Sequence, residues 1–132
     1  MKNNNRLLLI EDDKDLREIL LETLRDDNWE VKAIEGTRDV ISDVQEFQPS
    51  LVVVDYILPT INGGELCHQV KQNPLTSEIP VIMLSAYPRV LNSLGNYGWD
   101  MFIEKPFDLW FLLDKINQYS GAKASYFQGM KV

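Results

Sequence analysis

The sequence of 132 residues predicts one α/β domain, a doubly wound (βα)5 parallel sheet with helices on both faces. Short apolar runs of the kind that form buried strands alternate along the chain with segments of helical period. The chain is also too short for two independent cores. Regular alternation of strands and helices requires parallel strands joined by right-handed crossovers, and this requirement defines the fold class.

The five predicted strands differ in how continuously apolar they are. Three are unbroken apolar runs, as expected for strands buried on both faces: RLLLIE (6–11), LVVVD (51–55) and PVIMLS (80–85). WEVKAI (29–34) and DMFIE (100–104) are mixed, which is typical of edge or partly covered strands.

Four helices are predicted from apolar residues that recur three and four positions apart and so share one helix face. These residues are Leu16, Ile19, Leu20 and Leu24; Val40, Ile41, Val44 and Phe47; Leu66 and Val70; and Leu109, Leu112, Leu113 and Ile116. Pro49 and Asn73-Pro74 end the second and third helices. A fifth helix is expected between Tyr87 and Tyr97, and Pro88 and Gly95 make it a weak one.

Composition limits the function classes. The net charge of -7, without a run of lysines or arginines, argues against direct nucleic-acid binding. The N-terminal apolar run is too short for a signal peptide and no other run reaches transmembrane length, so we expect a cytoplasmic protein with no membrane partner. Cys67 is the only cysteine, which excludes an intrachain disulfide and a cysteine metal site.

The predicted domain spans residues 1–120. The last residues, GAKASYFQGMKV (121–132), have no strong helical pattern and are expected to form a flexible tail. Within them, YFQG resembles part of a protease-cleavage tag. A natural tail or linker and a tag remnant therefore both stay open.

Polar residues follow the predicted strands where these end. Glu11, Asp12 and Asp13 follow the first strand, Asp55 ends the third, Ser85 ends the fourth, and Lys105 follows the fifth. Taken singly, each has an ordinary explanation, such as Asp13 or Asp15 capping the first helix. The carboxyl ends of parallel strands, however, meet at one sheet edge, so these side chains are expected to converge there.

A cluster of carboxylates indicates a bound cation, because packed negative charges repel one another without one. Oxygen ligands without His or Cys suit a hard ion, and Mg²⁺ fits best. A lysine and a hydroxyl beside Asp55 are suited to binding phosphoryl oxygens. In this interpretation Asp55 is the nucleophile that becomes an aspartyl phosphate.

Four segments in order, LLLIEDD, LVVVDYILPTINGGEL, IPVIMLSA and FIEKPF, resemble the signature blocks of the receiver domain of two-component response regulators of the chemotaxis-regulator type. The resemblance covers Arg6 to about Tyr119. It implies a flavodoxin-like fold with strand order 2-1-3-4-5. Any one block is weak support, whereas the ordered set is specific.

The resemblance also implies roles for individual residues. Glu11 and Asp12 would hold Mg²⁺ together with the phosphoacceptor Asp55 and the backbone carbonyl of Ile57. Three further residues take positions that bind the phosphoryl group or respond to it, namely Ser85, Lys105 and Phe102, the last at a position where tyrosine is common. The Lys105-Pro106 bond is expected to be cis.

The function expected from these features is that of a signalling phosphoacceptor rather than an enzyme with an external substrate. Phosphate would come from a sensor histidine kinase or a phosphotransfer protein, and the altered surface would act on a downstream protein or output domain. Two alternatives are a degenerate receiver that docks without phosphate and an aspartyl-phosphate phosphatase. The phosphatase usually carries a second acid two residues after the nucleophile, and that position is Ile57 here.

Three features depart from the usual receiver pattern. The segment from Ala86 to Lys105 is about two residues shorter than in chemotaxis-type receivers, so its helix is expected to be short or irregular. Trp99, Trp110 and Phe111 form either an apolar patch for a partner or a cover for the core. Bulky residues at Ile57 and Tyr87 are expected to hinder the hydrolytic water and to prolong the life of the phosphate.

Overall fold

The computed structural model describes residues 5–87 and 97–120, which form five strands and four helices. The strands are β1 (Arg6–Ile10), β2 (Glu30–Ile34), β3 (Leu51–Asp55), β4 (Val81–Ser85) and β5 (Met101–Glu104). The helices are α1 (Lys14–Asp26), α2 (Val40–Phe47), α3 (Gly63–Gln72) and α4 (Leu109–Asn117). These elements confirm the strands and the four helices predicted from sequence. The predicted fifth helix rests on residues 88–96 and the predicted tail on residues 121–132, both outside the described residues.

The strands form one parallel sheet in the order β2-β1-β3-β4-β5, as predicted. The continuously apolar strands β1, β3 and β4 occupy the centre, and the two mixed strands form the edges. In the centre, every residue of β3 and β4 is buried. The position of each strand thus follows from how much apolar surface it offers to both faces.

Two hydrophobic layers cover the sheet, one on each face. Leu7 and Leu9 of β1 pack with buried residues of α1 and α4, whereas Leu8 and Ile10 pack with those of α2 and α3. This alternation follows from the two-residue period of a strand. Within residues 5–87 and 97–120, no helix has both the length and the apolar character needed to cross a membrane.

Each helix begins at a side chain that accepts a hydrogen bond from a backbone N–H of its first turn. The capping residues are Asp13, Asp39, Asn62 and Asp108. Without such caps the first N–H groups of a helix have no partner inside the helix. The prediction that Asp13 or Asp15 caps the first helix is confirmed for Asp13.

A glycine pair fits the start of α3 against the end of β3. A Cβ atom on Gly63 would lie 2.1 Å from the carbonyl oxygen of Asp55, and one on Gly64 would lie 2.7 Å from the ring of Tyr97. Gly63 N–H also donates to the carbonyl oxygen of Tyr56 at 2.8 Å. The helix can approach the strand this closely because neither position carries a side chain.

Candidate functional site

Three charged side chains meet at the carboxyl edge of the sheet. Glu11 directly follows β1, Asp55 ends the neighbouring strand β3, and Lys105 follows β5. The Lys105 ammonium lies 2.9 Å from Glu11 Oε1 and 3.3 Å from Asp55 Oδ2. The backbone N–H of Lys105 donates to the Ser85 carbonyl oxygen at 2.8 Å, and this bond fixes the lysine beside β4. The Lys105-Pro106 peptide bond is cis.

The two carboxylates of this group are buried. Glu11 is 0% exposed and Asp55 is 7% exposed. Burial, and then the nearby charge of Glu11, raise the pKa of Asp55 to about 6, against the opposing effect of Lys105. Burial lowers the pKa of Lys105, but its hydrogen bond to Glu11 and the negative charges of Asp55 and Glu11 outweigh this, so that the net shift is upward.

This donor set fits a small hard cation. Two buried carboxylates face one ammonium group, so the group as a whole is negative when Asp55 is ionised. Burial first, and then the charge of Glu11, raise the pKa of Asp55, so its ionised form is unfavourable in this place. Carboxylate oxygens are the ligands that Mg²⁺ prefers.

The carboxylate cluster is smaller than the sequence suggests. The residue after Glu11, Asp12, is exposed, and Asp13 is engaged as the cap of α1. Among residues 5–87 and 97–120, no three Asp, Glu, His or Cys side chains come close enough together to hold a metal ion. Two buried carboxylates, those of Glu11 and Asp55, therefore meet at this edge, and no third acid joins them among the described residues. A role for Asp12 in metal binding stays a prediction.

The side chain of Ser85, which ends β4, is buried but does not contact the charged side chains. Its hydroxyl oxygen accepts a hydrogen bond from Tyr87 N–H at 3.0 Å. Within the described part of the chain this hydroxyl makes no hydrogen bond to Asp55 or Lys105. Ile57 and Tyr87, each two residues beyond a strand-end site residue, are 54% and 56% exposed.

Phe102 of β5 belongs to a row of aromatic rings on the α3 side of the sheet. Its ring centroid lies 5.8 Å from that of Trp99, which lies 6.2 Å from Tyr97, which in turn lies 6.4 Å from Tyr56. Tyr56 directly follows Asp55, so the row extends from the site to the edge strand. Phe102 is partly buried against this cluster.

The predicted patch of Trp99, Trp110 and Phe111 does not form as one surface. Trp99 packs against the α2 and α3 layer. Trp110 and Phe111 lie on α4, on the other face of the sheet, and are 77% and 49% exposed. Trp99 thus covers the core, and the two α4 aromatics are left exposed.

Two long-range contacts of basic residues were not identified from the sequence, one beside the site and one at the opposite edge of the sheet. Arg17 Nη1 donates to the carbonyl oxygens of Glu11 at 2.9 Å and Asp12 at 3.3 Å, which holds the backbone of the acidic turn. Lys71 Nζ lies 2.8 Å from Asp100 and donates to the Ile79 carbonyl oxygen at 2.7 Å. Both residues read as ordinary polar positions of amphipathic helices, and no sequence signal marks their long-range contacts.

An open parallel sheet of order 2-1-3-4-5 with two acids and a lysine at its carboxyl edge defines the class of flavodoxin-like receiver folds. A family model, "Response regulator receiver domain", matches residues 7–117. The chain belongs to this family, as the resemblance predicted.

Known proteins similar to this chain include a transcriptional regulator and a receiver domain of a histidine kinase. The DNA-binding dual master transcriptional regulator RpaA of Synechocystis sp. is 29% identical over 114 residues, which cover 84% of this chain and 47% of that protein. The chain spans half or less of the curated relatives first matched. The signal receiver domain of a signal transduction histidine kinase from Syntrophus aciditrophicus has a TM-score of 0.80 and 27% identity, covering 89% of this chain and 91% of that one.

A second solved structure shares the fold at low identity. The receiver domain of sensor histidine kinase PA1611 from Pseudomonas aeruginosa has a TM-score of 0.79 and 18% identity, covering 89% of this chain and 98% of that one. It carries a magnesium ion coordinated in its active site cleft.

The expectation that nucleic acid is excluded as a partner is not supported. RpaA is described as DNA-binding, and this chain matches less than half of its length. A net charge measured over 132 residues describes those residues alone. It cannot decide whether the protein acts on DNA.

Proposed function

We propose that the chain is a phosphoacceptor that takes a phosphoryl group on Asp55 from a phosphohistidine of a sensor histidine kinase or phosphotransfer protein. The observation that carries the proposal is the buried group in which Lys105 lies 3.3 Å from Asp55 and 2.9 Å from Glu11. The ammonium is held in place by Glu11, so it is available to a phosphoryl group on Asp55 without first having to be ordered.

In the proposed transfer, a carboxylate oxygen of Asp55 bonds to phosphorus while the bond from phosphorus to the histidine nitrogen breaks. The imidazole leaves with that electron pair. The phosphoryl group brings about -1.5 to -2 charges to the site. Lys105 supplies a positive charge to its oxygens, and the Ser85 hydroxyl becomes a donor to them when it turns from Tyr87 N–H.

A magnesium ion belongs to the proposal. Glu11, Asp12, Asp55 and the backbone carbonyl of Ile57 would hold it. The ion would neutralise negative charge on the carboxylates and the phosphoryl oxygens. Two buried carboxylates that share one ammonium group support this part of the proposal.

The output of the proposed switch is an altered protein surface. Movement of Ser85 would shift the segment that follows β4, and Phe102, as part of the aromatic row, would respond to that shift. The recipient is a downstream protein or an output domain, and the proposed location is the cytoplasm. We propose no reaction with an external substrate beyond phosphorylation of the chain itself and its reversal.

The test is incubation of the protein with Mg²⁺ and acetyl phosphate, followed by mass spectrometry. We expect the mass of one phosphoryl group to be added, and the addition to disappear in Asp55→Ala. Asp43→Asn, on α2, is the matched control and should be labelled like the wild type. An adduct that persists in Asp55→Ala would refute the assignment.

The same experiment separates the degenerate receiver from the phosphoacceptor. A domain that docks without phosphate would take up no label although folded. Lys105→Met should then be compared with the wild type. If the phosphoryl group binds beside the ammonium of Lys105, loss of that ammonium should lower the labelling or the structural change that labelling causes. Absence of label in a folded, magnesium-loaded wild type would overturn the proposal.

A further inference from the structure

A groove of about 470 Å³ lies between α1 and α4, away from the Asp55 site. Its walls follow helical spacing: Trp110, Leu113, Asp114 and Asn117 of α4 face Thr23, Asp26 and Asp27 at the end of α1. The floor is apolar, since Leu113 is only 6% exposed. The α4 residues of the groove lie three and four positions apart, so they form a row on one helix face. A third helix can pack against such a row.

The groove has an exposed aromatic wall. Trp110 is 77% exposed, the most exposed large apolar side chain of the described residues. It stands beside the N-cap of α4, where Asp108 accepts from Trp110 N–H, so its backbone is well fixed. Tryptophan is among the residue types that most often contribute strongly to binding.

The rim of the groove carries uncompensated negative charge. Asp26, Asp27 and Asp114 are exposed, and no ion pair within residues 5–87 and 97–120 includes any of them. Asp26 and Asp27 also lie at the C-terminal end of α1, where the helix dipole disfavours negative charge. A positive charge brought to this rim gains from all three carboxylates and from the helix end.

We propose that this groove docks an amphipathic helix of another protein whose apolar side is flanked by lysine or arginine. An apolar residue of that helix would pack on Trp110 and Leu113, and its basic residues would meet Asp26 and Asp114. Charge disfavours three other occupants. In a symmetric pair of copies the acidic rims would repel each other, and nucleic acid or an anionic membrane would be repelled as well.

The end of the groove formed by the C-terminus of α1 lies away from the proposed phosphorylation site. The end of α1 leads into the start of β2, and Asn117 donates to Asp27 at 2.6 Å near that end. Asp55 lies at the opposite, carboxyl edge of the sheet. The proposal rests on the residues of the groove and does not depend on the function proposed above.

The probe is a synthetic helix of about four turns made of leucine and lysine, with all leucines on one face. We would titrate it into the full chain at physiological salt by calorimetry and map the site by amide chemical shifts. We expect saturable one-to-one binding with shifts confined to residues 23–27 and 109–117. A peptide with glutamate in place of lysine should bind at least about tenfold more weakly.

Variants locate the site. Trp110→Ala and the double change Asp26→Asn with Asp114→Asn should each weaken binding about tenfold. Glu46→Gln with Glu78→Gln removes the same charge from exposed positions elsewhere and should change affinity less than about twofold. Circular dichroism melting checks that each variant is folded.

Three results would overturn the proposal. One is an equal loss of binding in the Glu46 and Glu78 control, which would indicate general attraction to an acidic protein. Another is failure of the peptide to bind in the groove, seen either as shifts that map outside it or as no binding at all. The third is sedimentation of the free chain as a dimer that Trp110→Ala dissociates, because a second copy would then occupy the groove.

Discussion

Replacing Asp55 with asparagine is expected to stabilise the folded protein at neutral pH when no divalent metal is present. Asp55 is buried beside Glu11, and burial and that neighbouring charge raise its pKa from 3.8 to about 6. At neutral pH the group is nonetheless ionised, so the fold carries a negative charge in an unfavourable place. Asparagine has the shape of the protonated acid and carries no charge.

The magnitude follows from the size of the shift. A rise from 3.8 to about 6 corresponds to roughly 3 kcal/mol between the folded and unfolded states. The folded state binds the proton more tightly, so this stability is fully present below pH 3.8 and is lost as the pH rises to about 6. We therefore expect Asp55→Asn to raise the free energy of unfolding by up to about 3 kcal/mol above pH 6 and by little near pH 4.

The assay is urea denaturation in EDTA at several pH values, with the midpoint read at constant m-value. Asp114→Asn, an exposed acid on α4, is the matched control and should change stability by less than about 0.5 kcal/mol. Added Mg²⁺ should stabilise the wild type more than Asp55→Asn. An Asp55→Asn protein that is less stable than the wild type at pH 7.5 would refute the electrostatic reasoning.

Three further changes test other contacts. Gly64→Ala should cost about 1–3 kcal/mol of stability, and Gly63→Ala should cost more, as measured by urea denaturation. The reason is that a Cβ atom on Gly63 clashes with backbone atoms, whereas one on Gly64 clashes with a side chain. Lys71→Met should cost about 1–2 kcal/mol in the same assay by removing the contact with Asp100, and equal stability would contradict this. Ile57→Asn should speed loss of the phosphoryl mass several-fold, and an unchanged rate would refute its role as a cover.

The sheet could be predicted because strand position depends on composition. The four residues of β3 before Asp55, Leu51 to Val54, are all apolar, so β3 can lie only where both faces are covered. Lys32 in the second strand is tolerated because β2 lies at an edge. The start of the first helix was predicted from Asp13, whose side chain serves as its cap.

The sequence predicts only those features of the candidate site that follow from the parallel direction of the strands. Glu11, Asp55 and Lys105 come together because parallel strands end at one edge. The exposure of Asp12 and the hydrogen bond from Tyr87 N–H to Ser85 depend on local backbone turns that residue type does not reveal. The contact of Arg17 with the acidic turn likewise needs the position of α1 relative to β1.

The packing around Asp55 fixes the position of its backbone but makes the charge of its carboxylate unfavourable. The apolar strand and the close approach of Gly63 hold the Asp55 backbone in one place, and the lack of water around its carboxylate raises its pKa. The ionised carboxylate of Asp55 is therefore unfavourable for folding at the place where the chemistry is proposed. A cation that neutralises the carboxylates removes this strain, so its binding free energy includes the stability it restores. Metal binding at this edge should consequently increase the global stability of the domain. Asp55→Asn removes the unfavourable charge in advance, so it should weaken both the affinity for the metal and the stabilisation that the metal provides.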